Sequence, residues 1–134
     1  MYLADTNTVS ELMRPRPDTG VRQWLQRLEQ DDRPVVISAI TVDEITFGLH
    51  WRPNAAKAGW FDHFLQCATV LSVDARIASR AGELRAQFAR RGLIREQADM
   101  LIAATAQVHA LTLVTRNVRD FDGCGIGLLN PFAG

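Results

Sequence analysis

The sequence predicts an α/β fold in which helices cover both faces of a mainly parallel sheet of four to five strands. Short apolar runs alternate along the chain with longer segments whose apolar residues recur at helical spacing. The short runs are apolar throughout, which is typical of strands that are buried on both faces of a parallel sheet. No linker or internal repeat interrupts the 134 residues, so we predict one domain over residues 1–134.

The first strand is the apolar run YLA at residues 2–4, and the polar turn formers DTN at 5–7 end it. The residues TVSE at 8–11 match a capping box, in which a Thr and a Glu side chain each bond a backbone N–H group, and so predict a helix start. Pro15 and Pro17 break that helix. A second helix follows, because apolar residues recur three and four positions apart at Val21, Trp24, Leu25 and Leu28.

A second strand and two further helices are predicted next. The run PVVIS at 34–38 is rich in β-branched residues and indicates the strand. The residues TVDE at 41–44 match another capping box and predict a helix to about Trp51. Pro53 fits the first turn of the following helix. That helix has an apolar side made of Trp60, Phe61, Phe64 and Leu65.

The second half of the chain predicts three strands and two helices. Residues 69–73 form a third strand, Asp74 caps a long helix to about Arg91, and Gly92 ends that helix. The remaining elements are a strongly apolar helix over 97–109, a strand over 111–114 and a short strand over 125–129.

The charge balance does not indicate a nucleic-acid partner, because 15 basic and 15 acidic residues cancel, whereas phosphate contacts usually leave a basic excess. All basic residues except Lys57 are arginines, whose planar fork suits phosphate, although a GC-rich genome would give the same bias. The two cysteines, Cys67 and Cys124, have no metal or redox spacing. No signal peptide or membrane span is visible, so we expect a cytoplasmic protein without a membrane partner.

Four carboxylates form the candidate site. Ligands of a parallel sheet bind at the carboxyl ends of its strands, and Asp5, Glu44 and Asp120 each follow a predicted strand. Asp99 lies in the first turn of an apolar helix, where a buried carboxylate needs a partner. Mg²⁺ and Mn²⁺ take such oxygen ligands, activate water and neutralise charge on a phosphate. The four acids therefore predict metal-assisted phosphodiester hydrolysis.

Each acid also has a purely structural interpretation. Asp5 is a possible turn residue that bonds its own backbone, and Glu44 is the last member of a capping box. Asp99 suits the positive end of a helix dipole, and Asp120 fits a surface turn. Other chemistries lack their parts, because the chain has no Gly-rich phosphate loop, no Gly-x-Ser-x-Gly and no paired histidines.

Five segments, in order along the whole chain, together resemble the PIN-domain proteins of the VapC toxin type. They are MYLADTNTVSE at 1–11, SAITVDEI at 38–45 with Gly48, ADMLIAAT at 98–105, LVTRNVRDF at 113–121 and LNPF at 129–132. The resemblance implies a PIN-like three-layer α/β/α fold and an Mg²⁺- or Mn²⁺-dependent endoribonuclease. It also implies a toxin of a type II toxin–antitoxin pair, neutralised by a cognate VapB-type antitoxin and commonly a homodimer.

The resemblance also assigns roles to residues. The acidic positions of the family match Asp5, Glu44, Asp99 and Asp120. Asp5 and Asp99 are implied as direct metal ligands, and the other two as assisting directly or through water. Supporting polar positions match Thr6, Thr115 and Asn117. The family often has a Ser three residues before the third acid, where this chain has Glu96, so the helix cap differs or charge is added near the site.

Contacts to the RNA backbone are predicted for four arginines: Arg14, Arg16, Arg116 and Arg119. Two other functions stay open. The chain is alternatively a regulatory subunit of a toxin–antitoxin complex that binds operator DNA through its antitoxin. The second alternative is a haloacid-dehalogenase-like phosphatase, because Asp5 directly follows a strand as in the aspartyl-phosphate motif of those enzymes. That motif, however, needs a second Asp in place of Asn7 and a lysine near the phosphate. The only lysine, Lys57, lies in a predicted helix.

Overall fold

A computed structural model describes all residues from 1 to 134 and shows one five-stranded sheet with helices on both faces. The strands are β1 (Tyr2–Ala4), β2 (Val36–Ser38), β3 (Thr69–Leu71), β4 (Thr112–Val114) and β5 (Leu128–Leu129). The helices are α1 (Thr6–Leu12), α2 (Thr19–Gln30), α3 (Ala39–Trp51), α4 (Ala55–Cys67), α5 (Ala75–Arg90) and α6 (Gln97–Val108). A single 3-10 turn, Val118–Phe121, joins β4 to β5 and is called the 118–121 turn below.

The sheet has the strand order β3-β2-β1-β4-β5, and every neighbouring pair is parallel. The chain builds the sheet outward from β1 through β2 to β3 and then returns to place β4 on the other side of β1. In open parallel sheets, the crevice at such a reversal of strand order is the usual ligand site. Leu3 pairs with Leu113, so the carboxyl ends of β1 and β4 lie side by side at this point.

Alternate residues of the central strands point into two cores, which gives the predicted three layers. Leu3 and Leu113 pack with α5 and α6 on one face of the sheet. Ala4 and Val114, the next residues along, pack on the other face with side chains of α1 to α4. All four are fully buried, as expected for strands covered on both faces. The predicted α/β/α architecture is confirmed.

Two predicted capping boxes are wrong, because the chain turns into a helix directly at the strand end. Asp5 caps α1 by accepting the N–H of Thr8 at 2.8 Å, so Thr8 lies inside the helix. Ser38, the last residue of β2, caps α3 by accepting the N–H of Ile40 at 3.1 Å, so Thr41 is also inside a helix. Polar side chains at the end of a strand or directly after it satisfy the free N–H groups before the predicted boxes begin.

Most other predicted boundaries are correct or shifted by one or two residues, but β5 begins at Leu128, three residues after its predicted start. Asn54 caps α4, so Pro53 precedes this helix and does not lie in its first turn. Asp74 caps α5 as predicted, and Gly92 follows it with a φ of 78°, a left-handed conformation that glycine adopts without strain. None of the helices is long and apolar enough to cross a lipid bilayer.

The strand β3 differs from the prediction of strands buried on both faces. It lies at the edge of the sheet, and Thr69 and Val70 are exposed. It also ends at Leu71, two residues before the predicted end. An edge strand has a neighbouring strand on one side only. Its apolar residues therefore do not show whether helices cover both of its faces.

Candidate active site

Asp5 joins the two central strands at the reversal of strand order. Its side chain is buried, and its Oδ2 accepts a hydrogen bond from the Thr115 hydroxyl at 2.6 Å, directly after β4. Its Oδ1 accepts the N–H of Thr8. The Thr115 hydroxyl in turn accepts the backbone N–H of Asn117 at 3.0 Å. Asp5 is therefore a helix cap and a member of the sheet-edge cluster at the same time.

Glu44 is held near Asp5 by a hydrogen bond with Thr6, and it does not act as a helix cap. Its Oε1 accepts the hydroxyl of Thr6 at 2.6 Å, and that hydroxyl is also 3.0 Å from the hydroxyl of Thr41. Thr6 directly follows Asp5, so this bond ties α3 to the start of α1. The capping interpretation of Glu44 is wrong, because α3 begins at Ala39 and Glu44 lies in its second turn.

Asp99 is the electrostatic centre of the cluster. It lies half-buried in the first turn of α6, and its pKa is raised to about 6 from an ordinary 3.8, chiefly by burial. Negative charge on Asp120, Glu96, Glu44 and Asp5 contributes the rest of this shift, in that order of importance. Asp5, Glu44 and Asp120 therefore all lie close enough to Asp99 for their negative charge to act on its pKa. Glu96 caps no N–H group with its side chain, so it adds charge here without replacing the family's serine cap.

The cluster contains no neutralising base. Burial raises the pKa of Asp5, although the hydrogen bonds from Thr115 and Thr8 act in the opposite direction. The only salt bridges in the structure, Arg14–Glu11 and Arg80–Glu83, involve none of the four candidate acids. Two neighbouring carboxylates with raised pKa values and no cationic partner, Asp5 and Asp99, are typical of a functional site.

A divalent cation fits this donor set by chemistry. The side chains supply only oxygen, the ligand type of hard cations, and Mg²⁺ commonly uses one or two carboxylates and retains several waters. No three His, Cys, Asp or Glu side chains converge tightly enough to enclose an ion by themselves. The fit therefore rests on the chemistry of mutually repelling carboxylates, whose charge a cation would balance.

The raised pKa of Asp99 predicts that stability falls as pH rises from about 4 to about 6 in protein kept free of divalent ions. The folded state holds the Asp99 proton more tightly than the unfolded state, so this contribution is present at low pH and is lost through that window. Because Asp99 is only half-buried, we expect a loss of about 1 kcal/mol.

The measurement compares melting of the wild type and Asp99→Asn between pH 4 and pH 7 in the presence of a chelator. Other carboxylates titrate in both proteins, so the difference between the two curves isolates Asp99. The wild type should lose stability relative to the variant as pH rises. A difference that does not change with pH contradicts this prediction.

Two of the predicted RNA-binding arginines already have protein partners. Arg14 forms a salt bridge with Glu11 at 3.3 Å. The Arg116 guanidinium lies 4.9 Å from the centre of the Phe132 ring, and it donates to the carbonyl of Gly134 at 3.3 Å. The C-terminal segment thus holds Arg116 at the edge of the site, and this limits how freely it can follow an RNA strand.

The C-terminal segment itself is fixed against the start of α2. The N–H of Ala133 donates to Asp18 Oδ1 at 3.0 Å. A Cβ at Gly20 would come within 2.1 Å of the Pro131 carbonyl oxygen, so no larger residue fits there without a shift of the backbone. This close approach keeps the segment, and with it Phe132 beside Arg116, in place.

The remaining predicted residues are exposed: Arg16, Arg119 and Asn117. Asn117 supports the site through its backbone N–H to Thr115, whereas a role for its side chain stays a prediction. Sequence reasoning missed Thr41, which contacts the Thr6 hydroxyl, and Thr8, whose hydroxyl donates to the Val114 carbonyl at 3.1 Å. The sequence pattern indicates both residues only as helix caps. Their position near a strand end is the only further signal for a place at the site.

Comparisons with known proteins give one consistent result. The PIN domain family matches residues 2–123. The chain is 33% identical to the VapC ribonuclease Y4jK of Sinorhizobium fredii, over 98% of each protein. It is also 33% identical to the toxin FitB of Neisseria gonorrhoeae, over 98% of this chain and 99% of that protein. The crystal structure of VapBC2 from Rickettsia felis, bound to a DNA fragment from their promoter, superimposes with a TM-score of 0.84 at 27% identity, over 96% and 97% of the two chains.

Proposed function

This chain belongs to the PIN-domain family, and we propose that it is a metal-dependent endoribonuclease, the toxin of a type II toxin–antitoxin pair. The observation that carries the proposal is the grouping of Asp5, Glu44 and Asp120 around Asp99 at the reversal of strand order. Relatives that match nearly the whole chain are named ribonuclease and toxin, which supports the same activity. The match to the PIN domain over residues 2–123 supports a single catalytic domain.

We assign the metal to Asp5 and Asp99, with Glu44 and Asp120 assisting directly or through water. Mg²⁺ or Mn²⁺ is the ion that this oxygen-only donor set favours. When bound, such an ion supplies an activated water and neutralises negative charge on the scissile phosphate. Asp5 comes from the end of β1 and Asp99 from the start of α6, so the two proposed ligands belong to different elements.

The protein groups around the acids fix their orientation. Thr115 and Thr8 each bond one oxygen of Asp5, which holds its carboxylate in a single orientation and favours its ionised form. Thr6 bonds one oxygen of Glu44, and the second oxygen makes no hydrogen bond to protein. That free oxygen is available to accept a proton from an attacking water. Preorganised groups of this kind need little rearrangement during reaction.

An open basic cavity offers a path for the RNA backbone. It has a volume of about 590 Å³ and lies between the α1–α2 connection and α4. Arg14, Arg16, Arg22 and Lys57 line it together with Trp60, and no acidic residue does. Separation of charge between this cavity and the acidic site explains how a chain of zero net charge binds a polyanion. We place Arg116 and Arg119 on the same path, nearer the acids.

The proposed partners are a cognate VapB-type antitoxin and a second copy of the chain. The Rickettsia felis complex, described as VapBC2 with promoter DNA, supports an antitoxin through which this chain would reach DNA indirectly. It also supports a second function, as the regulatory subunit of such a complex. Phe47 and Trp51 stack on α3 with ring centres 6.0 Å apart and are 65% and 69% exposed, an apolar surface that a homodimer would cover.

Cleavage of RNA by the purified chain tests the proposal. We expect scission in Mg²⁺ or Mn²⁺, none with a chelator, and growth arrest on expression that co-expression of the antitoxin relieves. Sequencing of RNA ends identifies the substrate, and light scattering gives the mass of the chain alone and with its antitoxin. Harmless expression of a folded chain with intact acids would favour the regulatory function, and absence of cleavage in either metal would contradict the ribonuclease.

A further inference from the structure

Arg95 connects the loop before α6 to the 118–121 turn. Its Nη1 donates to the Arg119 carbonyl at 2.7 Å, and its Nη2 donates to the Asp122 carbonyl at 3.3 Å. Its guanidinium also lies 4.5 Å from the centre of the Phe88 ring, a buried side chain of α5. The side chain is thus held between the core and the turn, with both ends of its planar fork in use.

The two carbonyls that Arg95 binds stand on either side of Asp120. At the two ends of the turn, the N–H of Asp120 donates to the Asn117 carbonyl at 3.0 Å and the N–H of Asp122 donates to the Arg119 carbonyl at 3.3 Å. Phe121 anchors it by burial, but Asp120 is exposed. Because the turn is short and the Asp120 side chain is exposed, few contacts within the turn fix the direction of that side chain.

Arg95 is also four residues before Asp99, in the segment that leads into α6. We propose that Arg95 is a positioning residue, which holds Asp120 at a fixed distance from Asp99 by tying the start of α6 to the 118–121 turn. The inference rests on the proposed ribonuclease function, because the distance between two acids matters only if both serve one reaction.

The contacts suit that role because they leave the acids free. Asp99 and Asp120 carry like charges, and their repulsion tends to move the exposed turn away from α6. Arg95 opposes this movement through backbone carbonyls and forms a salt bridge with neither acid. A lysine would offer only a point donor without the planar fork, so it cannot reproduce both bonds and the stacking on Phe88.

Arg91 provides a matched control. Its guanidinium lies 5.1 Å from the centre of the same Phe88 ring, and it donates no hydrogen bond to the 118–121 turn. Arg91→Ala therefore removes an equal charge and a similar ring contact, but it leaves both carbonyl bonds of Arg95 in place. A difference between Arg95→Ala and Arg91→Ala measures those bonds.

The test compares Arg95→Ala, Arg95→Lys and Arg91→Ala by RNA cleavage and by amide hydrogen exchange. We expect Arg95→Ala to lower kcat about tenfold with little change in KM, since misplacement of a catalytic group slows reaction more than binding. Arg95→Lys should recover part of the loss, and Arg91→Ala should stay within about twofold of wild type. In an Asp120→Asn background, Arg95→Ala should have no further effect.

Hydrogen exchange gives a readout that does not depend on activity. The amides of Asp120 and Asp122 should exchange faster in Arg95→Ala than in Arg91→Ala, while those of α6 are unchanged. Equal kcat and equal exchange in the two alanine variants would overturn the positioning role. A loss that appears in KM alone also overturns it and indicates a direct RNA contact. If the wild type cleaves no RNA, the proposed function fails, and exchange alone decides whether Arg95 holds the turn.

Discussion

Asp99→Asn is expected to lower RNA cleavage roughly a thousandfold while raising the melting temperature of the metal-free protein. The substitution keeps the shape of the side chain but removes the charge of a proposed metal ligand. It also removes the repulsion that Asp120, Glu96, Glu44 and Asp5 exert on this position and that, with burial, raises its pKa to about 6. At pH 7 the relief should raise the melting temperature by about 3 °C or more.

The opposite signs of the two effects make this prediction specific. A variant that merely unfolds would lose both activity and stability. Asp62→Asn, at an exposed carboxylate of α4, is the matched control and should change neither property. Undiminished cleavage by Asp99→Asn would remove this residue from the site. If Asp99→Asn melted at a lower temperature than the wild type at pH 7, the Asp99 charge would not be destabilising in the metal-free protein.

Thr115→Val is expected to destabilise the protein by about 2 kcal/mol and to slow cleavage on the order of tenfold to a hundredfold. Valine has nearly the same shape, but it cannot donate the 2.6 Å bond to Asp5 or accept the N–H of Asn117. The buried carboxylate then loses a bond that lowers its pKa, so its ionised form becomes less favourable. Metal affinity should weaken together with stability.

Thr105→Val is the control for Thr115→Val. Thr105 is equally buried, but its hydroxyl donates to the Leu101 carbonyl within α6 at 2.8 Å, a bond that contributes little to helix stability. Chemical denaturation of both variants and calorimetric titration with Mn²⁺ measure the difference. Equal losses of stability in the two variants would mean that the Thr115–Asp5 bond contributes no more to folding than the Thr105–Leu101 bond.

The layers of the fold and the meeting of Asp5 with Thr115 were predictable from the sequence. Apolar runs identify buried parallel strands, and polar residues at the ends of such strands meet at one edge of the sheet. The position of Glu44 was not predictable in the same way. Its pattern matches a capping box, and only the cap at Ser38 and the bond from Thr6 show that the pattern is incidental.

The basic residues show a different limit of sequence reasoning. An arginine pattern does not reveal which guanidinium groups already have protein partners, so Arg14 and Arg116 could not be distinguished from Arg16. The approach of Lys57 to the α1–α2 connection depends on how α4 packs, which is a tertiary contact between distant segments. The contacts of Arg95 and the surroundings of Lys57 therefore could not be predicted from the sequence.

On the proposed assignment of the metal to Asp5, its bond to Thr115 also determines when a newly made chain can become active. The two residues are 110 positions apart, and β1 lacks its β4 neighbour until Thr115 has been made. At ordinary rates of translation, that interval is on the order of 5 to 20 s. A growing polypeptide therefore carries Asp5 without the hydroxyl that orients it, and we expect nuclease activity to begin only when synthesis is almost complete. With this topology, we expect RNA cleavage to be delayed until nearly the whole chain has been made.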